Sequence, residues 1–208
     1  GVPIEMKMMF KNYILDKFLI EEINTSLAII RTTGITETIL YDRISDFIDK
    51  FSDRYTFSFL PSFKGVDFKI RQDDKCQLGL KSVSHSFYNW LSPYAYGWEG
   101  DTLESVLANQ LLQRKITLSI AESCSGGLIS KRLTDVAGSS SFFLGSIVAY
   151  SNEIKINQLG VSKKTLEQEG AVSEAIAKEM VISIQKLTNS DIAISTTGIS
   201  GPSGGTKS

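Results

Sequence analysis

The chain has 208 residues, of which 42% are hydrophobic and 22% are charged, and its formal net charge is −1 at pH 7. This composition is typical of a globular protein and argues against general disorder. Basic and acidic side chains are balanced in both halves of the chain, so the sequence does not favour binding to nucleic acid or to an anionic membrane. The longest apolar run covers only residues 142–150, whereas a membrane-spanning helix needs about 18 residues.

Cysteine and histidine are scarce, which excludes several kinds of site. The two cysteines, Cys76 and Cys124, lie far apart and predict neither a disulfide scaffold nor a zinc ribbon. His85 is the single histidine, so a histidine-rich metal site cannot be built. A Ser-His-Asp hydrolase would need His85 itself, which we expect instead to be exposed on a helix. We recognise no signal peptide and expect a cytoplasmic protein.

The first half of the chain predicts a small α+β unit. Its apolar residues recur with helical spacing in three segments and with strand-like spacing in three others, which gives a leading helix followed by the order β-α-β-β-α. The predicted helices cover 4–20, 40–51 and 80–91, and the predicted strands cover 26–33, 55–60 and 66–71. The aromatic residues here are more typical of a core than of an RNA-stacking platform. Residues 92–100 are rich in Pro, Gly and aromatics, and we place a domain boundary there.

The second half alternates strands with helices, which predicts a layered α/β domain. Asp101 and Glu104 have the spacing of a capping box at the start of its first helix. The remaining predicted elements are strands at 116–121, 144–150 and 192–196 and helices at 124–137 and 173–187. The Gly-rich run 198–208 follows the last strand, and such a loop normally leads into another element. We therefore expect a domain truncated near its C-terminus, with a flexible natural end as the alternative.

Three polar clusters, at 122–127, 150–155 and 196–202, follow the three predicted strands. Ligands of such sheets bind beyond the carboxyl ends of the strands. The first cluster is a Gly-containing turn that suits an anion or oxyanion, although it matches neither a P-loop nor Gly-x-Ser-x-Gly. The third offers hydroxyl groups and a Gly-rich loop to ribose or phosphate oxygens. Each cluster also fits an ordinary turn or loop.

A serine with a lysine base is the catalytic arrangement that this composition allows, because the C-terminal half has no histidine. Lys155 follows an apolar run, and desolvation there would lower its pKa and free it to act as a base. A solvated lysine on a short helix is the alternative. Cys124 is a rival nucleophile, but we expect it to be a small buried residue at the start of a helix.

Six segments resemble, in sequence and spacing, the C-terminal domain of the CinA family of competence/damage-inducible proteins, which also occurs alone as the nicotinamide mononucleotide deamidase PncC. These segments are 121–127, 136–140, 150–155, 159–161, 170–174 and 197–202. The match runs over about 102–208 and implies a three-layer α/β/α domain.

The N-terminal part resembles the same family less sharply. Residues 1–19 resemble the tail of its molybdopterin-binding-like domain, and residues 20–95 resemble its KH-like middle domain by position and by the segment 31–35. We see no Gly-x-x-Gly nucleic-acid loop there and expect no nucleic-acid partner. The pyrophosphatase activity attributed to the first domain is not carried over, because almost all of that domain is absent.

The resemblance implies hydrolysis of nicotinamide mononucleotide to nicotinate mononucleotide and ammonia, which recycles pyridine nucleotide. It implies no metal or organic cofactor, and a homodimer. Ser123 is expected to be the nucleophile, with Lys155 as base and Tyr150 assisting proton transfer. Substrate-binding residues are expected at Glu122, Ser125, Gly126, Gly127, Asn152, Thr197, Gly198 and Ser200. Of these, Thr197, Gly198 and Ser200 would line the ribose-phosphate side, and backbone N–H groups of 125–127 would form the oxyanion site.

Two questions stay open at this point. Ser125 lies in the same motif as Ser123, so the two hydroxyls could exchange roles. The family domain continues beyond the Gly-rich loop with a strand, further elements and a basic residue near the phosphate, so an inactive fragment is one alternative. A non-enzymatic interaction module for competence or DNA-repair proteins is another.

Overall fold

The computed structural model describes residues 3–14, 26–72 and 79–200. The chain divides into two compact units, Gly1–Asp101 and Thr102–Ser208, and each unit has its own sheet. Within the three described ranges, no helix is both long enough and apolar enough to cross a membrane.

The N-terminal unit is built on a four-stranded antiparallel sheet. Its elements are α1 (Pro3–Met9) with a π-helical turn (Phe10–Ile14), β1 (Ser26–Thr32), α2 (Glu37–Phe51), β2 (Tyr55–Ser62), β3 (Gly65–Gln72), α3 (Leu80–Trp90) and β4 (Ala95–Trp98). The strands lie in the order β2-β3-β1-β4. The segment 4–20 was predicted as one helix; it is helical as far as residue 14, and 15–25 lie outside the described residues.

The core of this unit follows from the period-two pattern of β3. Val66, Phe68 and Ile70 are buried on one face, because successive side chains of a strand point to opposite sides. Helices α2 and α3 cover that face, for example with Ile44 and Phe87. His85 is exposed on α3, as the sequence predicts.

The stretch 92–100 contains an element that the sequence did not indicate. Ala95–Trp98 form the edge strand β4, which pairs with β1. Four residues are too few to show an alternating pattern, and the Pro, Gly and aromatic content of the stretch is typical of a linker. The Trp98 ring stacks on Tyr88 at a centroid distance of 4.9 Å, which helps to explain the aromatic content.

The C-terminal unit contains a three-stranded parallel sheet. Its elements are α4 (Leu103–Arg114), β5 (Leu118–Glu122), α5 (Leu128–Thr134), a 3-10 turn (Ser139–Ser141), β6 (Phe143–Val148), α6 (Asn152–Leu159), α7 (Lys163–Glu169), α8 (Glu174–Thr188) and β7 (Ile192–Ser195). The strands lie in the order β6-β5-β7. The central strand β5 is buried along its whole length. Since the strands are parallel, the residues that follow them gather at one edge of the sheet.

Helices pack on both faces of this sheet, which confirms the predicted mixed α/β fold. One face is covered by the α8 residues Ile176, Met180 and Ile184. The other face packs against Leu111 of α4 and Leu133 of α5. The sheet is therefore the middle of three layers.

The predicted capping box at the start of α4 was wrong by one residue. Thr102 is the N-cap: its hydroxyl accepts a hydrogen bond from the Ser105 N–H at 3.1 Å, and the Ser105 hydroxyl accepts one from the Thr102 N–H at 2.9 Å. The Asp101 carboxylate instead accepts a hydrogen bond from the backbone N–H of Trp98. Asp and Thr both cap helices well, so the two neighbouring candidates could not be separated by residue type.

Candidate active site

Lys155 and Ser123 meet beyond the carboxyl edge of the parallel sheet. The Nζ of Lys155 lies 3.1 Å from the Oγ of Ser123, and it also donates to the carbonyl oxygens of Ala149 at 3.0 Å and Tyr150 at 3.4 Å. Both side chains are buried, with exposed fractions of 2% for Lys155 and 6% for Ser123. The structure therefore brings together the two side chains that the sequence proposes as base and nucleophile.

The buried position of Lys155 follows from the local sequence of α6. Ser151 is the N-cap of this helix, and its hydroxyl accepts a hydrogen bond from the backbone N–H of Ile154 at 3.2 Å. Lys155 and Leu159 are four residues apart and are the two buried residues of α6. Residues with this spacing share one face of a helix, so the face that buries Leu159 in the core carries Lys155 inward as well.

The environment of Lys155 lowers the pKa of its amine. Burial holds the pKa of the Lys155 amine below its ordinary value of 10.5, and the nearby Cys124 thiol acts more weakly in the opposite direction. In the part of the chain that the structure describes, no carboxylate forms an ion pair with Lys155. An amine that loses its proton more readily is better suited to accept one from a hydroxyl group.

Ser123 lies in a tight turn between β5 and α5. Gly126 and Gly127 have φ angles of +59° and +94°, a region that L-residues with side chains rarely adopt. The N–H of Gly126 donates to the carbonyl of Ser123 at 3.1 Å, which closes the turn. Helix α5 therefore begins at Leu128 rather than at the predicted residue 124, and Cys124 lies in the turn with intermediate exposure.

Glu122 is completely buried at the end of β5. Its carboxylate accepts hydrogen bonds from the backbone N–H groups of Gly127 at 3.0 Å, Ile129 at 3.2 Å and Ser130 at 2.9 Å, and from the Ser130 hydroxyl. Burial alone would raise the pKa of Glu122, but the hydrogen bonds outweigh it and the pKa is lowered. The N–H groups of Gly126 and Gly127, expected to form part of an oxyanion site, already have acceptors, so that expectation was wrong for these two residues.

Thr196, which begins the third polar cluster but was not among the predicted site residues, joins the first and third clusters. Its N–H donates to the carbonyl of Ala121 at 2.9 Å. Its Oγ1 lies 2.8 Å from the Oγ of Ser125 and accepts a longer hydrogen bond, 3.4 Å, from the N–H of Ser123. The neighbouring Thr197, which was predicted to bind substrate, donates its hydroxyl to the carbonyl of Ala171 at 2.7 Å. Two consecutive threonines gave no signal as to which one contacts the turn.

The rest of the third cluster packs closely on the same turn. A Cβ added to Gly198 would lie 3.1 Å from the Sγ of Cys124, so this position has room for glycine and little more. The Ser200 hydroxyl donates to the carbonyl of Cys124 at 3.3 Å. Residues 196–200 therefore pack along the turn that contains Ser123 and Cys124.

The remaining predicted residues lie at the surface beside Lys155. Tyr150 contributes its carbonyl oxygen to Lys155, and its side chain is 73% exposed. Asn152 is exposed at the first position of α6. Within 3–14, 26–72 and 79–200, no group of three or more His, Cys, Asp or Glu side chains is placed to hold a metal ion. The chemistry that these residues offer is a serine hydroxyl beside a buried amine, which is suited to acyl transfer.

Comparison with known protein sequences supports one family. A model of the CinA C-terminal domain matches residues 100–208. A competence-damage inducible protein of Halothermothrix orenii is 38% identical over 213 residues, which cover 99% of this chain and 51% of the relative. A CinA-like protein of Chlorobaculum tepidum is 40% identical over 216 residues, which cover 99% of this chain and 50% of the relative. The chain thus spans about half the length of these relatives.

Solved structures of similar proteins overlap half of the chain. The competence damage-inducible protein A of Klebsiella pneumoniae is 40% identical, with a TM-score of 0.49 over 50% of this chain and 64% of that chain. A competence/damage inducible protein of Agrobacterium tumefaciens is 37% identical, with a TM-score of 0.49 and the same coverage.

Proposed function

The chain belongs to the CinA family, and from this premise we propose that it is an amidohydrolase that converts nicotinamide mononucleotide and water to nicotinate mononucleotide and ammonia. The observation that carries the proposal is the 3.1 Å separation of Ser123 Oγ and Lys155 Nζ among buried groups. A hydroxyl within hydrogen-bond reach of an amine whose pKa is lowered is the arrangement expected of an activated serine.

The carbonyl oxygens around Lys155 orient its amine for this task. A neutral amine has two N–H groups and one lone pair. When the N–H groups donate to the carbonyls of Ala149 and Tyr150, the lone pair is left to accept the proton of Ser123. The backbone therefore selects the orientation in which Lys155 acts as a base towards one hydroxyl.

The reaction then proceeds in two steps that share one base. Ser123 Oγ attacks the carboxamide carbon while Lys155 takes its proton, the C–N bond breaks, and the protonated Lys155 gives the proton to the departing ammonia. Water next attacks the resulting ester with Lys155 again as base. The C–O bond of the ester breaks and Lys155 returns the proton to Ser123, which leaves the carboxylic acid. This acid ionises and its proton converts the released ammonia to ammonium, so that one water is consumed and one ammonia is formed.

The contacts favour Ser123 over Ser125 as the nucleophile. The Ser123 hydroxyl faces Lys155, whereas the Ser125 hydroxyl is paired with Thr196. On the family resemblance we assign Tyr150, whose side chain is exposed, to proton transfer, and we assign Thr197, Gly198 and Ser200 to the ribose-phosphate side of the substrate. A role in pyridine nucleotide recycling, a homodimer and a cytoplasmic location belong to the same proposal and rest on the same resemblance.

The test is release of ammonia and nicotinate mononucleotide from nicotinamide mononucleotide by the purified chain, measured by an enzyme-coupled ammonia assay and by chromatography. Ser123→Ala is expected to lower kcat by about 10³-fold or more, because the covalent route is lost. Ser146→Ala, at an exposed position of β6, is the matched control and should keep full activity. An inactive wild-type chain, or a fully active Ser123→Ala variant, would contradict the proposal.

A further inference from the structure

The Glu122 carboxylate has no acceptor capacity left for a ligand. A carboxylate offers about four lone-pair positions. In Glu122, Oε2 accepts the N–H groups of Gly127 and Ile129, and Oε1 accepts the N–H and the hydroxyl of Ser130. With four donors in place and the side chain fully buried, this residue has no exposed group to offer a substrate.

We infer that Glu122 is a positioning residue, which fixes the turn that carries Ser123, rather than a substrate-binding residue. This inference rests on the proposed function. The N-cap position of α5 is Gly127, which has no side chain to cap the helix. Glu122 supplies that cap from the preceding strand. Glu122 therefore fixes both ends of the turn 123–127: it is bonded to Ser123 in the chain, and its carboxylate accepts a hydrogen bond from Gly127.

Glu122 is also connected to the other half of the catalytic pair. Its backbone carbonyl accepts a hydrogen bond from the N–H of Ala149 at 2.7 Å. The carbonyl of Ala149 in turn accepts the Nζ of Lys155 at 3.0 Å. Glu122 therefore precedes Ser123 in the chain, and it also holds Ala149, whose carbonyl oxygen accepts a hydrogen bond from Lys155. A shift of Glu122 would change the distance between Ser123 and Lys155.

The hydrogen-bond pattern requires a carboxylate at this position. All four partners of the side chain act as donors. A glutamine that turns its NH₂ group towards Ser130 loses the bond from the Ser130 N–H and forces the Ser130 hydroxyl to accept instead of donate. The opposite orientation places the NH₂ group against the N–H groups of Gly127 and Ile129. Glu122→Gln keeps the size of the side chain and removes this match, so it tests the role directly.

The experiment compares Glu122→Gln and Ser130→Ala with Glu167→Gln, an exposed carboxylate on α7 that serves as the control. For Glu122→Gln we expect kcat to fall about 10- to 100-fold with KM within about twofold, because a displaced nucleophile slows the chemistry without removing a substrate contact. Ser130→Ala removes one of the four hydrogen bonds and should give a smaller loss of the same kind. If Glu122→Gln fails to fold, Ser130→Ala carries the test.

Two further measurements do not depend on the substrate. The rate at which a fluorophosphonate probe labels Ser123 should fall in parallel with kcat, and hydrogen exchange at 127–130 should become faster in both variants. If the wild-type chain releases no ammonia, the proposed function fails, while labelling and exchange still decide the role of Glu122. A rise in KM with kcat unchanged, or wild-type labelling and exchange in both variants, would overturn the inference.

Discussion

The hydroxyl of Ser125 lies 2.8 Å from the hydroxyl of Thr196, so the first polar cluster is tied directly to the residue that follows β7. Ser123, two residues earlier, faces Lys155 instead. The two serines of one turn therefore have different partners, and the pairing of Ser125 with Thr196 leaves Ser123 as the hydroxyl available to the amine. Thr196 also accepts a hydrogen bond from the N–H of Ser123, so its side chain contacts both serines of the turn.

Thr196→Val is expected to lower kcat about 10-fold, because it replaces the hydroxyl by a methyl group of similar size and releases Ser125. Thr196→Ser keeps the hydroxyl and should stay within about threefold of wild type. Ser125→Ala should resemble Thr196→Val, and the double variant should be little worse than either single one, which corresponds to a coupling energy of about 1.4 kcal/mol, the equivalent of a tenfold change in rate. Steady-state kinetics of ammonia release give these values.

Thr188→Val is the control for this series, since the Thr188 hydroxyl donates only to the carbonyl of Ile184 within its own helix. Equal losses in Thr196→Ser and Thr196→Val would show that the hydroxyl has no role. Fully additive effects of Ser125→Ala and Thr196→Val would show that the two residues act separately.

The parts of the fold that depend on apolar periodicity could be predicted from the sequence. Helix α8 and strand β3 have clear spacings, and both were found within two residues of their expected bounds. The α/β layering followed from the alternation of elements. The proximity of Ser123 and Lys155 could also be anticipated, because both follow strands that end at the same edge of a parallel sheet.

The parts that depend on individual hydrogen bonds could not be predicted. Glu122 was expected from the sequence to bind substrate, yet its carboxylate is fully buried against the start of α5. Thr196 and Thr197 are chemically identical, and only their positions in the structure separate their partners. Burial of polar groups depends on which backbone donors lie nearby, and the sequence does not show this.

The activity is expected to rise with pH. Burial lowers the pKa of Lys155 below 10.5, and a protonated amine cannot accept the proton of Ser123. As the pH rises through the lowered pKa, Lys155 loses its proton and kcat/KM should increase to a plateau that begins below pH 10.5. Lys155→Arg should be inactive at every pH, since a guanidinium stays charged. Rates of ammonia release measured from about pH 6 to 10 test this.

A wild-type rate that falls steadily over the same range would contradict a basic role for Lys155. So would substantial activity in Lys155→Arg. Lys155→Met removes the amine while keeping an unbranched side chain, and it separates loss of the base from loss of packing. Its circular dichroism spectrum should match that of wild type while the activity is lost.

Gly198→Ala is expected to reduce kcat/KM about 10-fold, because the new Cβ would lie 3.1 Å from Cys124 Sγ and would press on the turn beside Ser123. Combining it with Cys124→Ala removes the sulfur and should recover most of the loss. The kinetics of the two single variants and the double variant measure this recovery. Activity in Cys124→Ala alone should stay close to wild type, which would also exclude the thiol as the nucleophile.

Gly65→Ala should destabilise the N-terminal unit by about 3 kcal/mol or more, since φ is positive and a Cβ would meet a backbone atom. Gly65 has a φ of +136°, and its added Cβ would lie 1.9 Å from the carbonyl oxygen of Thr32 in β1. Strands β1 and β3 pair at this point, with Thr32 opposite Val66. The clash cannot be relieved by rotating a side chain, so the strands themselves must move apart.

Gly34→Ala is the matched control. Its φ is +70°, but nothing lies within 4 Å of an added Cβ, so only the backbone strain of about 1–2 kcal/mol should appear. Trp90 and Trp98 are the two tryptophans of the chain and both lie in the N-terminal unit, so urea unfolding followed by tryptophan fluorescence reports on that unit. If Gly65→Ala lost no more stability than Gly34→Ala, the result would show that Gly65 does not lie this close to the Thr32 carbonyl in the folded protein.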